Sequence, residues 1–140
     1  MEPWEVVEAR WAARLCGDVA SQLDLLDEDL DYSCNLPTEI FPFAGEFEWR
    51  PAFHDRLMRL RTQYSIPVYR PILLSVKGEE VRGRIEYRLR HRATGLVIAG
   101  SARQVAHVRG GKIIRMQEFQ DVERFRVFAE LIAHAAAGYV

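Results

Sequence analysis

Alternating apolar and charged residues predict two β-hairpins in the second half of the chain. Ile85, Tyr87 and Leu89 are apolar and alternate with charged residues, as in a strand with one buried face. Ala93-Thr94-Gly95 has the composition of a three-residue hairpin loop, and Gly110-Gly111 that of a two-residue turn. The three strands that these turns join are predicted at residues 81–92, Leu96–Val108 and Lys112–Gln120.

The second turn sets the pairing of the last two strands. If Arg109 and Lys112 flank the turn, Arg103 lies opposite Glu118. Directly opposite side chains share a face of the sheet, so this register places an arginine and a glutamate together. We take their face, which is otherwise apolar, as the side of the core and of a pocket.

The first loop sets the other register, in which Arg92 pairs with Leu96 and Tyr87 lies opposite Ser101. A slip of one residue in either loop would exchange the two faces. The expected inner face comprises Tyr87, Leu89, Ser101, Arg103, Val105, Ile114, Met116, Glu118 and Gln120. The expected outer face comprises Arg88, Arg90, Gly100, Ala102, Gln104, Ala106, Gln117 and Phe119.

Helical periodicity dominates the first half of the chain. The apolar spacing over Trp4–Leu15 predicts a first helix. This helix should end at Gly17-Asp18, where Asp18 can cap a second helix over Val19–Leu26. The aromatic-rich segment Pro37–Pro51 either covers a cavity or plugs one end of the core. Arg56 falls on the polar side of another predicted helix, Ala52–Tyr64. The remaining predicted elements are a strand at Leu30–Leu36, a helix at Ala52–Tyr64, a strand at Pro67–Val76 and a helix at Val122–Ala137.

This order of elements predicts an α+β fold. A strongly curled antiparallel sheet would wrap around three helices from the N-terminal half, with an additional helix at the C-terminus. The 140 residues, of which 49% are apolar, suit one globular domain over residues 1–140. A sheet curled in this way leaves a cavity at its open end.

The distribution of charge and of cysteines indicates which partners and which cellular compartment to expect. Residues 1–48 carry a net charge of −10 and residues 49–115 carry +11, so we expect an acidic helical half to balance a basic sheet half. The basic strands lack interleaved exposed aromatic residues, which argues against nucleic-acid binding. No apolar run has the length of a membrane span, and the acidic N-terminus is not typical of a signal peptide. Cys16 and Cys34 show no metal or disulfide spacing, so we expect a cytoplasmic protein with both thiols reduced.

The chain resembles the cone-shaped nuclear transport factor 2-like superfamily, which includes ketosteroid isomerases and SnoaL-like polyketide cyclases. The resemblance implies a homodimer formed through the outer face of the sheet, with Ala102, Gln104, Gln117 and Phe119 as the packing surface. The segments that carry it are Arg10-Trp11 followed by Gly17-Asp18, then Leu25–Tyr32, Arg50–Leu57 and Gly111–Asp121.

The same resemblance argues against steroid isomerisation. Where those enzymes place a carboxylate base, a tyrosine donor and a protonated aspartate, this chain has Cys34, Trp11 and Arg103. SnoaL-like cyclases carry an acid/base aspartate near the end of the last strand, and Asp121 matches it by position. Asp121 is also placed to cap the last helix, which is the role that we favour, and the role of a base stays open.

Four residues are candidates for chemistry. Arg103 would hold a ligand carboxylate or enolate oxygen, with Glu118 orienting it or acting as a base. The alternative is a self-satisfied cross-strand ion pair. His107 is either a helper in proton transfer or a solvated rim residue, and Asp121 is the further candidate base. The expected cavity lining is Trp11, Tyr32, Cys34, Phe53, Leu57, Tyr87, Ser101, Met116 and Gln120.

Two functions remain open from the sequence. One is binding of a small apolar molecule with a carbonyl or carboxylate group, coupled to proton transfer in a cyclisation, isomerisation or dehydration, without a metal or other cofactor. The other is a non-catalytic binding or dimerisation module of the same fold. Both versions expect a small apolar or anionic ligand and a second copy of the chain as partners, and neither nucleic acid nor a membrane.

Overall fold

The computed structural model describes residues 1–138, which form four helices and six strands. Within that range no helix combines the length and the apolar character needed to cross a membrane. In chain order the elements are α1 (Pro3–Leu15), α2 (Val19–Asp24), β1 (Leu26–Cys34), β2 (Gly45–Phe47), α3 (Arg50–Gln63), β3 (Tyr64–Lys77), β4 (Glu80–His91), β5 (Val97–Arg109), β6 (Lys112–Phe119) and α4 (Val122–Ala136).

The strands form one sheet in the order β2-β1-β6-β5-β4-β3. All pairings are antiparallel except that of β1 with β6, which is parallel. The sheet is curled without closing: α1 packs against β3 to β6, and α3 packs against β1, β2 and β3. The predicted α+β class and the curled sheet around the helices are therefore confirmed, with one parallel pair added.

Two of the helices begin with an aspartate whose side chain caps the first turn. Asp18 accepts a hydrogen bond from the Ser21 backbone N–H at 3.0 Å, and Asp121 accepts one from the Arg124 backbone N–H at 3.1 Å. Each bond satisfies a donor that the first helical turn leaves without a partner. The predicted caps of α2 and α4 are both confirmed.

The predicted register between β4 and β5 is wrong by one residue. The backbone N–H of His91 donates to the Leu96 carbonyl, so the loop holds four residues instead of three. Tyr87 consequently pairs with Gly100 and not with Ser101.

The predicted register between β5 and β6 is also wrong by one residue, although Arg109 does pair with Lys112. Val108 lies opposite Ile113 and His107 lies opposite Arg115, so Ile114 is an extra residue in a β-bulge. The bulge has a packing reason, because Ile113 and Met116 are both fully buried and strict alternation would place them on opposite faces.

These two slips exchange the faces of β5. Arg103 lies opposite Phe119 and Gln104 lies opposite Glu118. Ala102 and Gln104, expected on the outer face, are buried toward the helices. Ser101 and Arg103, expected on the inner face, are exposed.

Strand β1 begins earlier than the predicted strand Leu30–Leu36 and includes the acidic residues 27–29. Leu26 pairs with Ile113 of β6, and both Leu26 and Leu30 are fully buried. Burial of these two leucines holds the acidic stretch in extended conformation, with its carboxylates largely in solvent.

The aromatic segment between β1 and α3 closes one end of the core. Phe41 packs edge-on against Phe125 of α4, with ring centroids 5.2 Å apart, and Phe43 packs in the same way against Tyr64 at 5.9 Å. Phe41 also lines the interior cavity described below, so the segment both plugs the core and covers a cavity.

Candidate functional site

A cavity of about 80 Å³ lies between the inner face of the sheet and helices α1 and α3. The helices contribute three arginines, and the sheet contributes most of the polar oxygen and amide groups. Its polar lining is Arg10, Arg14, Arg56, Tyr69, Tyr87, Gln104, Glu118 and Gln120. Its apolar lining is Phe41, Leu57, Leu60, Ile66, Ile85, Leu89, Ala102 and Phe125.

The three arginines have no carboxylate partner within the described residues, where every ion pair involves other side chains. Arg10 is 2% exposed, and its Nε lacks a hydrogen-bond partner. Arg56 is also buried; its Nε donates to the Phe43 carbonyl and its guanidinium lies 4.7 Å from the centre of the Tyr32 ring. Burial lowers the pKa of Arg14. Buried cations without an ion-pair partner are costly, so a cavity lined by three arginines and one carboxylate, Glu118, calls for a further anion.

Helix α1 holds its arginines over the cavity through Trp11. Arg10 and Arg14 are four residues apart and share one face of the helix. The Trp11 indole N–H donates to Gln104 Oε1 at 3.0 Å. The indole ring rests on Gly83 of β4, where a Cβ atom would lie 2.6 Å from it. The lack of a side chain at Gly83 therefore sets how closely α1 approaches the sheet.

Glu118 is the one carboxylate in the lining of this cavity. Its side chain is half-buried and makes no hydrogen bond or ion pair with any residue from 1 to 138. The Tyr87 hydroxyl lies nearby and donates to Gln120 Oε1 at 2.8 Å. Burial raises the pKa of Tyr87, and the Glu118 charge adds to the effect. Tyr87 therefore stays a neutral hydroxyl beside the Glu118 carboxylate.

The Tyr69 side chain lies at the helix side of the cavity. The Arg14 guanidinium is 5.2 Å from the centre of its ring. Burial raises the pKa of the Tyr69 hydroxyl, and the charges of Arg10 and Arg14 oppose that shift. Tyr69 thus supplies a neutral hydroxyl beside the cationic groups.

The predicted site residues fall into three places. Glu118, Tyr87, Leu57 and Gln120 line the cavity. Five more are buried in the surrounding core without lining it: Trp11, Tyr32, Cys34, Phe53 and Met116. The other four lie outside the cavity: Ser101, Arg103, His107 and Asp121.

The expected pairing of Arg103 with Glu118 is wrong because the two side chains point to opposite faces of the sheet. The Arg103 guanidinium lies 5.8 Å from the centre of the Phe119 ring on the outer face. His107 is on the same outer side, 4.0 Å from the Glu80 carboxylate. Asp121 is exposed and caps α4. Of the four candidates for chemistry, Glu118 alone lines the cavity.

The cavity arginines were not predicted, although the spacing of residues on two helices could have indicated that they are buried. On α1, Val7, Arg10, Trp11 and Arg14 follow the spacing i, i+3, i+4, i+7 of a buried face. On α3, the buried residues Phe53, Arg56, Leu57 and Leu60 repeat the same spacing. The assignment of Arg56 to the polar side of its helix is wrong. An arginine at the second position of an apolar stripe was the feature that could have located the site.

No group of three or more histidine, cysteine, aspartate or glutamate side chains in residues 1–138 has the arrangement of a metal site. A cavity with three arginines and one carboxylate is instead suited to an anionic oxygen group, because guanidinium groups bind such oxygens with paired N–H donors.

Comparison with known proteins supports the fold. No protein-family model and no curated protein sequence matches the chain. Solved structures do match it. A nuclear transport factor 2-like protein from Burkholderia thailandensis superposes with a TM-score of 0.77 at 22% identity, over 93% of this chain and 98% of that one. A proposed polyketide cyclase from Xanthomonas campestris pv. campestris gives 0.78 at 18% identity, over 91% and 96%.

A third similar structure is TerC, which was co-crystallised with polyporic acid. It superposes with a TM-score of 0.79 at 17% identity, over 91% of this chain and 98% of TerC. At these identities the likeness concerns the fold. The chain therefore has the cone-shaped fold of the nuclear transport factor 2-like proteins, as the sequence resemblance predicted.

Proposed function

We propose that the cavity binds a small, largely apolar molecule that carries an anionic oxygen group, either a carboxylate or an enolate. The observation that carries this proposal is the set of three arginines that line the cavity without a carboxylate partner. Arg10 is the clearest case, since it is almost fully buried and its Nε is unpartnered. A ligand anion would supply the missing counter-charge, and the apolar lining would cover the rest of the molecule. TerC, a protein of the same fold, was co-crystallised with an acid, polyporic acid.

Glu118 favours a second candidate function, proton transfer without a cofactor. Its carboxylate lines the same cavity as the arginines and forms no hydrogen bond or ion pair within residues 1–138. Glu118 would remove a proton from the carbon next to a ligand carbonyl, and the C–H electron pair would form the C=C bond of an enolate. The negative charge would move to the carbonyl oxygen, where an arginine stabilises it. Cyclisation, isomerisation and dehydration all can use this step.

Binding is tested with Arg10→Met, which removes the charge and breaks no observed hydrogen bond. Polyporic acid and phenylpyruvate serve as probes, and isothermal titration calorimetry measures their affinity. We expect the variant to bind at least about tenfold more weakly, since hydrogen bonds to charged groups contribute about 1.5–3 kcal/mol. Its free energy of unfolding should not fall, because an unpaired buried charge is lost.

Arg59→Met is the matched control, because Arg59 is an exposed arginine of α3 that does not line this cavity. It should bind the probes as the unmodified protein does. Equal affinity of the Arg10→Met variant and the unmodified protein would contradict the proposal.

Proton transfer is tested by the exchange of the phenylpyruvate methylene protons in D2O, followed by NMR and corrected for the rate without protein. Glu118→Gln keeps the size of the side chain and removes its basicity. General base catalysis contributes about 10²–10⁴-fold, so we expect a loss of that order in the protein-dependent rate with little change in affinity. An unchanged exchange rate in this variant would leave binding as the function.

A further inference from the structure

A second pocket adjoins the cavity on the side of α1 and the C-terminal end of α3. We call it the vestibule; its volume is about 310 Å³. Arg14, Leu60, Ile66 and Tyr69 line both spaces, so the vestibule and the inner cavity meet at these residues. Leu60 and Ile66 give this junction an apolar wall. The two spaces are therefore adjacent, and a ligand that reached from one to the other would pass these four side chains.

The vestibule is basic and contains no carboxylate in its lining. Arg61 and Arg92 stand at its opening, and neither forms an ion pair with another residue of the described chain. The Arg92 Nε donates to the Arg61 backbone carbonyl at 3.0 Å, which fixes the Arg92 side chain beside α3. Both arginines thus line the pocket without a carboxylate in its lining to neutralise them.

Gln22 marks the vestibule as a polar site. Its side chain is 2% exposed and lines the pocket, yet its Oε1 has no hydrogen-bond partner. Buried polar groups nearly always find a partner, because an unsatisfied one costs about 1–3 kcal/mol. Because Oε1 is an acceptor, a ligand hydroxyl could donate a hydrogen bond to it, whereas a carboxylate could not. Gln22 therefore marks the vestibule as polar, and the case for an acidic group there rests on the arginines.

We propose that the vestibule is a second anion subsite, in which Arg61 and Arg92 bind an acidic group at the far end of the cavity ligand. This inference rests on the proposed function, because it places the first anionic group of the ligand in the inner cavity. The ligand class is then an elongated molecule, apolar in the middle, with an acid at each end. Arg14, at the junction, faces both acidic groups.

The test compares straight-chain dicarboxylates of eight to twelve carbons with their monomethyl esters by isothermal titration calorimetry. The ester retains one acid for the inner cavity and lacks the second. We expect at least one diacid to bind about tenfold or more tightly than its monoester, since a charge-assisted pair contributes about 1.5–3 kcal/mol. In the double variant Arg61→Gln/Arg92→Gln, this advantage should disappear while the affinity of the monoester stays unchanged.

The double variant Arg59→Gln/Arg88→Gln is the control, because it removes the same net charge from exposed positions outside both pockets. Loss of the diacid advantage in this control would show general charge attraction and would overturn the subsite. Equal affinity of diacids and monoesters for the unmodified protein would also overturn it, while monoester binding that depends on Arg10 would leave the proposed function intact. Failure of every probe to bind would contradict both proposals.

Discussion

Burial controls the chemistry of the two cysteines. Cys16 is exposed, whereas Cys34 is buried at the end of β1. Burial raises the pKa of the Cys34 thiol from its ordinary 9.0 to about 11, and the Glu118 charge adds to this shift. Cys34 therefore stays a neutral thiol at physiological pH, which makes it a packing residue and a poor nucleophile.

This raised pKa predicts a dependence of stability on alkaline pH. The unfolded chain loses the Cys34 proton near pH 9, while the folded chain keeps it until about pH 11. The contribution of Cys34 is thus fully present below pH 9 and is lost as pH rises through about 11. Urea unfolding of the protein and of Cys34→Ala at pH 8 and pH 11 measures this. The stability difference between them should shrink at the higher pH, and an unchanged difference would contradict the prediction.

Some residues of the cavity could be predicted from the sequence and others could not. Glu118, Tyr87 and Gln120 were predicted on the correct face because their spacing within β4 and β6 follows simple alternation. Arg10 and Arg56 were missed because an arginine inside an apolar stripe is usually assumed to reach solvent. Only the arrangement of both helices around one cavity shows that these side chains stay buried.

At the scale of elements, the strands could be predicted and their registers could not. Alternation located β4, β5 and β6 nearly to their ends. A four-residue loop at 92–95 and a bulge at Ile114 each shifted the pairing by one residue. Neither has a strong local signature; the bulge follows from burial of both Ile113 and Met116. That single-residue shift moved Arg103 out of the site and Gln104 into it.

The packing of α1 on β4 predicts a sensitive position at Gly83. In Gly83→Ala the new methyl would lie 2.6 Å from the Trp11 ring, so the helix or the indole must move. Overpacking of this kind typically costs about 1–3 kcal/mol. We expect a loss of that size in the free energy of unfolding, measured by urea denaturation and accompanied by a shift in tryptophan emission.

Ser101→Ala, an exposed change on the neighbouring strand, is the control for this prediction and should unfold like the unmodified protein. If Gly83→Ala were equally stable, Trp11 would not set the distance between α1 and the sheet. The position of the arginines over the cavity would then need another explanation.

At the scale of the whole molecule, the homodimer implied by the sequence resemblance stays a prediction. Gln117 and Phe119 do line a groove of about 480 Å³ on the outer face of the sheet, together with Leu74 and Arg103. Ala102 and Gln104, expected on that surface, lie on the other side of the sheet. A packing surface on this face would therefore centre on Phe119 and the exposed Leu74.

Light scattering checks the dimer. We expect twice the mass of one chain, and we expect Phe119→Glu to give the monomer because it places a charge in an apolar contact. Val127→Glu, at an exposed apolar position of α4, is the matched control and should remain dimeric. A monomer at all concentrations of the unmodified protein would rule out this interface.

The parallel pairing of β1 with β6 has a consequence for synthesis of the chain. β1 is made before the other five described strands, yet its neighbour in the centre of the sheet, β6, is made after them. Until residues 112–119 emerge, one hydrogen-bonding edge of β1 has no neighbouring strand, and Leu26 lacks its pairing partner Ile113. Nascent chains that stop short of β6 should thus remain open to proteases, and protection should arrive in one late step when the final hairpin docks.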